Sequence, residues 1–358
     1  MNIVLHYLVA LLMLGTCWLV PISAAQAQLG PLPTRWTKAA LAEPVPWSSY
    51  PRPQLRRAQW LCLNGSWQYQ GGSTVAAARN PTAIATFPAN PAQIRVPYCP
   101  ESVLSGIMRK QETNMWYRRG FTLPAAWQGQ QIILHFEAVD YQATVFVNGQ
   151  RAGSHSGGYD AFCFDITSLL KPGENSLVVA AYDANDGRTP SGKNGLRGDY
   201  TFSSGIWQTV WLEPVPKDHI QALRVLPDLA GKRVRLEVMA SAGTQVTARV
   251  LEGKKVVAQA VGTAGTAFYL PLAHPRAWSP DSPFLYDVQL TLHSPTGKGT
   301  DEVQSYFGLR DVALGKVNGV VRPLLNGQFV MQLGLLDQGY WPDGVLTAPT
   351  ETALKSDL

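Results

Sequence analysis

Carboxylates are the chain's main supply of side chains that could do chemistry, and they are spread along the whole sequence. There are 25 Asp and Glu residues among 358. Their spacing gives no reason to place any two in one pocket, so we expect most to be solvated, to cap turns or to bond to nearby backbone. This expectation covers Glu112, Glu137, Asp140, Asp160, Asp165, Asp183 and Asp199. The sequence shows no G-x-S-x-G nucleophile elbow, no phosphate-binding glycine loop and no His or Cys cluster. We therefore expect no cofactor and no metal.

The elements that must position any site are predicted to be β-strands. Short apolar runs separated by turn residues fill the region from Gln131 to Leu212, and Tyr141 to Val147 alternates in the pattern of a half-buried strand. Asn148-Gly149 follows that strand and predicts a hairpin with a type I′ turn, because both central residues of that turn need positive φ. The region from Asp165 to Gly173 predicts a short helical turn closed by Pro and Gly.

A second series of strands follows Pro214 to Lys217, which we interpret as a linker. Seven strands are predicted, which is the number in an immunoglobulin-like sandwich. They are Ile220 to Leu226, Arg233 to Val238, Gln245 to Leu251, Lys255 to Ala260, Phe268 to Leu270, Tyr286 to Leu292 and Glu302 to Phe307. Long helical periodicity is absent between residues 30 and 345, which argues against a doubly wound α/β fold.

The pattern changes after Arg310. Gln328 to Leu336 is an apolar run typical of a fully buried strand, and Pro349 to Glu351 begins a predicted helix whose buried stripe is Ala353, Leu354 and Leu358. One strand followed by one helix is the opening unit of a (β/α)₈ barrel. Such a strand without neighbours leaves an open apolar edge, and a terminal helix from Thr350 to Leu358 is too short to be stable by itself. We therefore expect this segment to be a stability liability, so that deleting residues 316–358 leaves the two sandwiches folded and makes the protein more soluble.

Four segments together resemble glycoside hydrolase family 2, the family of β-galactosidases, β-mannosidases and β-glucuronidases. The resemblance covers nearly all of residues 50–358 and depends on the order of the segments, since each alone is also typical of a sandwich core or a turn. The segments are Leu63 to Trp67 with Val96-Pro97; Trp116 to Arg119 through Val147 to Gly149, Gly157 to Tyr159 and Asp165 to Thr167; Ser204 to Leu212; and Trp278 to Pro280 with Phe307 to Arg310 and Leu336 to Gly344.

The resemblance implies an all-β architecture with a truncated third unit. Residues 1–27 would be a signal peptide, 28–217 a jelly-roll sugar-binding domain, 218–310 an immunoglobulin-like sandwich and 311–358 the start of a catalytic barrel. The family's retaining mechanism needs two carboxyl groups about 5 to 5.5 Å apart. The family supplies both as glutamates on later barrel strands, and residues 311–358 contain no matching motif. The resemblance therefore implies a non-catalytic N-terminal portion of a β-glycosidase, inactive by itself.

Five residues are candidate substrate-binding positions. Asp199 matches an aspartate that reaches from the family's sugar-binding domain into the active site, and Asn114 matches an asparagine near the same pocket. The alternative for both is a turn residue bonded to local backbone. Asp337, Tyr340 and Trp341 follow the predicted first barrel strand, at the end where barrel active sites form. Their alternative role is packing against the sandwich.

The N-terminus predicts export. An apolar stretch from Ile3 to Ser23 precedes Ala25-Gln26-Ala27, a small-x-small cleavage pattern, which indicates a periplasmic or secreted protein that is free of the membrane after cleavage. An uncleaved anchor is the alternative. The mature chain keeps Cys62, Cys99 and Cys163, whose odd number permits at most one disulfide and leaves its pairing open. We expect buried thiols that pack as small apolar residues.

Composition indicates a globular protein whose partner is a carbohydrate. Hydrophobic residues make up 46% of the chain, and the formal net charge of +5 includes no long basic run. A nucleic-acid partner is therefore not supported. Two alternatives to the glycosidase portion remain open: a carbohydrate-binding protein that works without catalysis, and a subunit that pairs with a separately encoded barrel. The sequence also leaves open whether the protein forms a homo-oligomer.

Overall fold

The computed structural model of the chain describes residues 32–72, 74–109, 111–186, 200–293 and 300–358. The predicted signal peptide and Asp199 lie outside the described residues. Two α-helices are present in the described part: α1 is Thr37–Ala42 and α2 is Glu351–Asp357. The strands up to residue 215 are β1 Leu61–Cys62, β2 Gly65–Gly71, β3 Ala92–Val96, β4 Asn114–Thr122, β5 Gln131–Phe136, β6 Val139–Asp140, β7 Gln142–Val147, β8 Gln150–Ser156, β9 Phe162–Asp165, β10 Glu174–Tyr182, β11 Gly205–Ile206 and β12 Val210–Val215.

The later strands form the rest of the fold. They are β13 Ala222–Asp228, β14 Arg233–Met239, β15 Gln245–Glu252, β16 Lys255–Thr263, β17 Phe268–Pro271, β18 Tyr286–His293, β19 Thr300–Phe307, β20 Val312–Val317, β21 Val320–Leu325 and β22 Gln328–Phe329. None of the helices in the described part has the length and apolarity that crossing a bilayer requires.

The first sandwich packs a four-stranded sheet, ordered β1-β12-β5-β9, against a six-stranded sheet, ordered β3-β2-β4-β10-β7-β8. Alternation along each strand decides which side chains fill the space between the sheets. On β4, Met115, Tyr117 and Phe121 face the core. Trp116, between two of them, faces outward and is covered by the loop that carries Ala78 and Ala85. This loop covers only part of the outer face of the six-stranded sheet.

The predicted hairpin is confirmed. Asn148 and Gly149 join β7 to β8 with φ of 50° and 86°, the left-handed conformations that a type I′ turn requires. The Asn148 amide also donates to Leu169 O at 2.8 Å, which ties the hairpin to the short 3₁₀ turn Thr167–Leu169. That turn lies where the sequence predicts one.

All seven strands predicted in the second sandwich are present. A three-stranded sheet, β13-β14-β17, packs on a four-stranded sheet, β16-β15-β18-β19. Valines and leucines at alternate positions of β14, β15 and β18 form its core. The all-β prediction is therefore confirmed for both sandwiches.

A buried ion network joins the two sandwiches. The Arg57 guanidinium lies 2.9 Å from Glu213 of the first sandwich and 2.8 Å from Asp301 of the second. Burial alone would raise the pKa of Glu213, but the hydrogen bond from His135 and the charge of Arg57 outweigh it and lower that pKa to about 2. The carboxylate therefore stays ionised and holds the arginine.

The predicted buried strand from Gln328 to Leu336 is wrong. Only Gln328 and Phe329 pair, with β21, and the chain then runs through residues 330–340 without strand pairing. Leu333 is 88% exposed and Leu335 fully exposed. A buried strand of a parallel sheet needs a neighbour on each side, and the described residues provide none for this segment.

The C-terminal helix is present, but its predicted buried stripe is wrong in two of three positions. The Thr350 hydroxyl accepts from Ala353 N at 3.0 Å and caps α2. Ala353 is fully buried, whereas Leu354 and Leu358 are exposed. A helix of seven residues covers the sandwich with one side only, so the remaining apolar residues face outward.

The contacts of residues 341–353 argue against the expectation that the segment is a liability to the rest of the fold. Tyr98 donates to Pro349 O at 2.7 Å, and the Trp47 indole donates to Ala348 O at 2.9 Å. Thr347 Oγ1 lies 2.6 Å from Trp207 O. Val345, Ala348 and Ala353 are buried. This docked segment, residues 341–353, is part of the first sandwich's packing.

The cysteines only partly follow expectation. All three are free, Cys99 is buried, Cys62 is half-buried and Cys163 is exposed. The prediction of buried thiols is therefore right for Cys99 and wrong for Cys163, which lies on the outward side of β9.

Candidate functional site

The docked segment begins at Trp341, and its first turn is fixed by backbone and carboxylate contacts. Trp341 and Val345 exchange two backbone hydrogen bonds of 2.8 and 2.9 Å. Between them Asp343 is fully buried, and its carboxylate accepts from the hydroxyls of Thr34 at 2.8 Å and Thr37 at 2.5 Å. These contacts set the orientation of the Trp341 ring, which lies between two cavities.

The first cavity, of about 390 Å³, is walled by aromatic rings and is called the aromatic cleft below. Its four rings are Trp47, Tyr50, Trp207 and Trp341. They come from three parts of the chain: the segment before β1, the segment between β11 and β12, and the docked segment. Large flat rings and a volume within the usual range of about 300–1,000 Å³ are properties of small-molecule sites.

Hydrogen bonds hold the rings of the aromatic cleft in place. The Trp207 indole donates to Gly158 O at 2.7 Å, and its ring meets Tyr159 edge-on at 5.3 Å. The Tyr50 hydroxyl donates to Leu55 O at 2.9 Å. With their polar atoms occupied, the rings of Trp47, Tyr50 and Trp207 present mainly apolar faces, which suit the C–H faces of sugar rings.

Two carboxylates line the same cleft. Glu137 accepts from the Trp211 indole at 2.7 Å, and burial raises its pKa. Glu351 lies exposed at the first residue of α2. Carboxylate oxygens are strong acceptors for hydroxyl groups. The cleft thus combines apolar ring faces with acceptors at its rim.

The second cavity, of about 340 Å³, lies on the other side of the Trp341 segment. It brings together Asp337, Tyr340 and Trp341, the three candidates predicted in this part of the chain, with Arg35 and Trp36 from the N-terminal segment. Asp337 is exposed and accepts from Gly339 N at 2.7 Å. Arg35 lies over the Trp36 ring at 4.7 Å from its centre.

Tyr340 points back into the sandwich. Its hydroxyl donates to Thr201 O, and its ring meets Tyr200 edge-on at 5.2 Å. Burial raises its pKa well above the usual range, and the nearby groups Cys99 and Glu101 raise it further. Tyr340 is therefore a neutral donor that connects the second cavity with acids buried behind it.

Asn114 does not join the other candidates. It begins β4, and its side-chain oxygen accepts from Ala78 N at 2.9 Å, which supports the loop over the outer face. It lines neither cavity beside Trp341. Asn114 is therefore a strand residue that bonds to backbone 36 positions away, which is not the turn residue bonded to local backbone that was the alternative. Asp199 lies outside the described residues.

Three acids are buried in the first sandwich, namely Glu101, Asp140 and Asp183. The expectation that carboxylates are solvated, cap turns or bond to nearby backbone is wrong for Asp140 and correct for Asp183, which bonds to backbone two residues away. Glu101 accepts from the Ser204 hydroxyl at 2.7 Å and from Ser204 N at 3.2 Å. Asp183 accepts from Asn185 N at 3.0 Å. Neither oxygen of Asp140 has a hydrogen-bond partner in the described part of the chain. We call Glu101, Asp140 and Asp183 the acid cluster.

Burial dominates the electrostatics of the acid cluster. It raises the pKa of Glu101 to about 8. Burial, followed by the charges of Asp183 and Glu101, raises the pKa of Asp140 to about 8. Burial raises the pKa of Asp183 to about 6. At neutral pH, Glu101 and Asp140 therefore hold their protons for the most part.

Glu112 is a further carboxylate that is buried where solvation was expected. Its side chain is buried near Gly71, and burial raises its pKa. Within the described residues, no group of three or more His, Cys, Asp or Glu side chains is arranged to hold a metal ion. The side chains that line the two cavities are suited to hydrogen bonding and to stacking against a ligand ring.

Sequence reasoning missed most of the aromatic cleft. Trp207 was recognisable only as part of a Trp-rich strand, a pattern that sandwich cores share, and Trp47 and Tyr50 lie in a Pro-rich segment without periodicity. Glu137 was grouped with solvated carboxylates. The one usable signal was the Tyr340-Trp341 pair.

Comparison with known proteins identifies the family of this two-sandwich chain. The model for the sugar-binding domain of glycosyl hydrolases family 2 matches residues 35–216, and a second glycosyl hydrolases family 2 model matches residues 218–310. The chain therefore belongs to glycosyl hydrolases family 2.

Curated relatives carry glycosidase names. A β-glucuronidase of Bacteroides fragilis is 32% identical over 54% of this chain and 31% of its own length. A β-galactosidase of Thermoanaerobacter pseudethanolicus is 29% identical over 49% of this chain and 26% of its own length. The chain thus spans about a quarter to a third of the length of these relatives.

Solved structures share the fold. The β-glucuronidase of Ruminococcus gnavus, in complex with D-glucuronic acid, superposes with a TM-score of 0.66 at 22% identity, over 84% of this chain and 53% of that one. The Lactobacillus rhamnosus β-glucuronidase gives a TM-score of 0.68 at 22% identity, over 81% and 50%.

Proposed function

We propose that this chain is the non-catalytic N-terminal portion of a family 2 β-glycosidase and that it binds carbohydrate through the aromatic cleft. One observation carries the proposal: the docking of residues 341–353 onto the first sandwich assembles four aromatic rings and two carboxylates around one cavity. Family membership supplies the reaction class, hydrolysis of a β-glycosidic bond. The two catalytic glutamates would come from barrel strands that follow residue 358 in an intact relative.

The cleft would hold a sugar by its faces and its edges. Trp341 and Trp207 would contact the C–H faces of the ring, and Glu137 and Glu351 would accept from hydroxyl groups. Among the described residues that line the cavity there is no Arg or Lys, so we propose a neutral sugar residue for this position. The relative named β-galactosidase supports a neutral β-galactoside in the cleft. A β-glucuronide, which the name of the other relative indicates, would have to place its carboxylate outside the cleft.

Sugar binding tests the cleft. We expect lactose to quench or shift the tryptophan fluorescence of the wild-type chain with a dissociation constant in the millimolar range, and Trp341→Ala to weaken that binding by tenfold or more. Tyr269→Ala removes an exposed aromatic ring of the second sandwich and serves as the matched control. Equal binding by wild type and Trp341→Ala would contradict the proposal.

Turnover tests the assignment as non-catalytic. The purified chain should not hydrolyse nitrophenyl β-galactosides, β-mannosides or β-glucuronides, because hydrolysis needs an acid/base and nucleophile pair at about 5 to 5.5 Å. Activity that persists through purification to homogeneity, and at constant specific activity, would contradict it.

Pairing with a separately encoded barrel is the second candidate, and one observation favours it. Residues 330–336 run unpaired with Met331, Leu333 and Leu335 exposed, an apolar segment that a barrel would cover. One relative, from Latilactobacillus sakei, is named β-galactosidase large subunit and is 26% identical over 66% of this chain. Native purification from the source organism separates the candidates. A copurified barrel chain supports pairing, and a single longer polypeptide supports the N-terminal portion.

Export is also a proposal. The apolar stretch before Ala25-Gln26-Ala27 supports signal cleavage and a periplasmic or secreted location. Mass spectrometry of the protein from the cell envelope or medium should find a new N-terminus at Gln28. An intact Met1 in the membrane fraction would support an anchor.

A further inference from the structure

A polar groove crosses the outer face of the six-stranded sheet where the loop carrying Ala78 and Ala85 leaves it open. The groove has a volume of about 570 Å³ and runs over β3, β2, β4 and β10. Its floor includes Gln93, Gln68, Arg118 and Ser176, one from each of these four strands. We call it the outer groove.

Internal hydrogen bonds engage the amide oxygens of both glutamines in the outer groove and leave their amide donors open. Gln68 Oε1 accepts from Arg118 Nε, and Gln93 Oε1 accepts from the Ser66 hydroxyl at 2.9 Å. Each glutamine is therefore left with its NH₂ group to offer. The other guanidinium nitrogens of Arg118 have no hydrogen-bond partner among the described residues.

The cationic groups are held in place. The Arg118 guanidinium lies over the Phe87 ring, 4.3 Å from its centre, and stands directly opposite Gln68 across the β2-β4 pair. Lys171 N donates to buried Asn175 at 2.9 Å, and the Asn175 amide donates back to Lys171 O at 3.1 Å. The Lys171 ammonium itself forms no ion pair with any residue that the structure describes.

One hydrogen-bond acceptor, the Glu174 carboxylate, lies beside these donors in the outer groove. The Glu174 carboxylate lies directly over Gly120, so close that a Cβ at Gly120 would be 2.3 Å from Glu174 Oε1. Glu174 has no ion-pair partner among the described residues. The glycine leaves the groove room for this carboxylate, which can accept from a hydroxyl group of a ligand.

From this arrangement we infer that the outer groove is a second carbohydrate site, specific for an anionic saccharide. Arg118 binds the carboxylate or sulfate ester with its planar fork, and Lys171 adds a second positive charge. The amides of Gln68 and Gln93 donate to ring and glycosidic oxygens, and Glu174 accepts from a hydroxyl. The site is separate from the aromatic cleft and does not depend on the function proposed for it.

Isothermal titration of the full chain with three probes tests the inference. Galacturonic acid trimer carries carboxylates, 3′-sulfolactose carries a sulfate ester, and lactose is the neutral control. We expect at least one anionic probe to bind tenfold or more tighter than lactose does at this site, and its affinity to fall as NaCl rises. Binding by the trimer alone identifies a uronate site, and binding by sulfolactose alone a sulfate site. Failure of both anionic probes would overturn the inference.

Variants that remove either a positive or a negative charge from the outer groove distinguish a loss of ligand recognition from damage to the fold. Arg118→Gln and Lys171→Ala should each weaken anion binding by tenfold or more, and the exposed Lys171 side chain can be removed without loss of a contact. Glu174→Gln should strengthen binding several-fold because it removes a repulsive charge. Lys254→Ala, in an exposed turn of the second sandwich, and Trp341→Ala, in the cleft, should leave it unchanged. Weaker binding by Glu174→Gln, or unchanged binding by Lys171→Ala, would refute the assignment.

Discussion

Replacing Asp140 by asparagine should flatten the fall in stability that the acid cluster causes as pH rises toward 8. The folded-state pKa of Asp140 is about 8, against 3.8 as its ordinary value. Between these two values the unfolded chain has released the proton that the folded chain still binds. The free energy of unfolding therefore falls as pH rises through this window. Glu101, with a pKa of about 8, contributes with the same sign.

The magnitude can be worked for the range from pH 6.5 to 8. Asp183, with a folded pKa of about 6, is already ionised there in both states and adds little slope. Burial lowers the pKa of His135, so its opposing contribution fades as the unfolded chain's histidine loses its proton between about pH 6.5 and 7.5. At about 1.36 kcal/mol per pH unit, and with both acids half deprotonated at pH 8, Glu101 and Asp140 each remove about 1.5–2 kcal/mol over 1.5 units. The wild-type chain should lose about 3 kcal/mol, and Asp140→Asn about half of that.

Urea unfolding followed by tryptophan fluorescence at pH 6.5, 7.25 and 8 measures both slopes. Asp287→Asn, an exposed carboxylate on β18, is the matched control and should keep the wild-type slope. The reasoning fails if wild-type stability is constant or rises over this range. It also fails if Asp140→Asn has the same slope as wild type.

Three further substitutions test the packing. Arg57→Met should lower the free energy of unfolding by about 3–5 kcal/mol, because it removes the arginine that pairs with buried Asp301 and one of the two arginines that pair with buried Glu213, which keeps Arg52; a loss below about 1 kcal/mol in urea unfolding would contradict this. Asp343→Ala should cost about 1–3 kcal/mol by leaving the buried Thr37 hydroxyl and the half-buried Thr34 hydroxyl without their acceptor, and should lower the melting temperature measured by calorimetry. Gly158→Ala should cost about 1–3 kcal/mol, since its Cβ would lie 2.3 Å from Asp140 Oδ1, and an unchanged melting temperature would argue against that contact.

Strand positions in both sandwiches were predictable because alternation reports which face of a strand is buried. The seven strands between Ala222 and Phe307 and the Asn148-Gly149 turn depend on residues within a few positions of each other. The run from Gln328 to Leu336 shows the limit of this reasoning. Its apolar composition indicates a segment that is suited to burial. Only neighbouring strands can bury it, and the sequence of the run itself does not tell whether such strands are present.

Buried charge was the least predictable feature. Asp140, Asp183 and Glu101 lie more than 35 positions apart from one another in sequence, and their burial depends on how β6, β10 and the segment after β3 come together. Nothing in their immediate sequence distinguishes them from solvated acids. The aromatic cleft is equally hard to predict from sequence, because Trp47, Trp207 and Trp341 meet only after the sandwich has formed.

The aromatic cleft and the stability of the first sandwich depend on the same contacts. Trp341 is oriented by its two hydrogen bonds with Val345 and by the anchoring of Asp343 against the N-terminal segment, so the ring cannot keep its place if residues 341–353 detach. Detachment would also expose Tyr98 and leave its hydroxyl without the Pro349 carbonyl. A chain ending at residue 315 would therefore lose one wall of the cleft together with part of the sandwich's own packing. Carbohydrate binding at the cleft should accordingly stabilise the docked segment, because ligand binding favours the state that has the site.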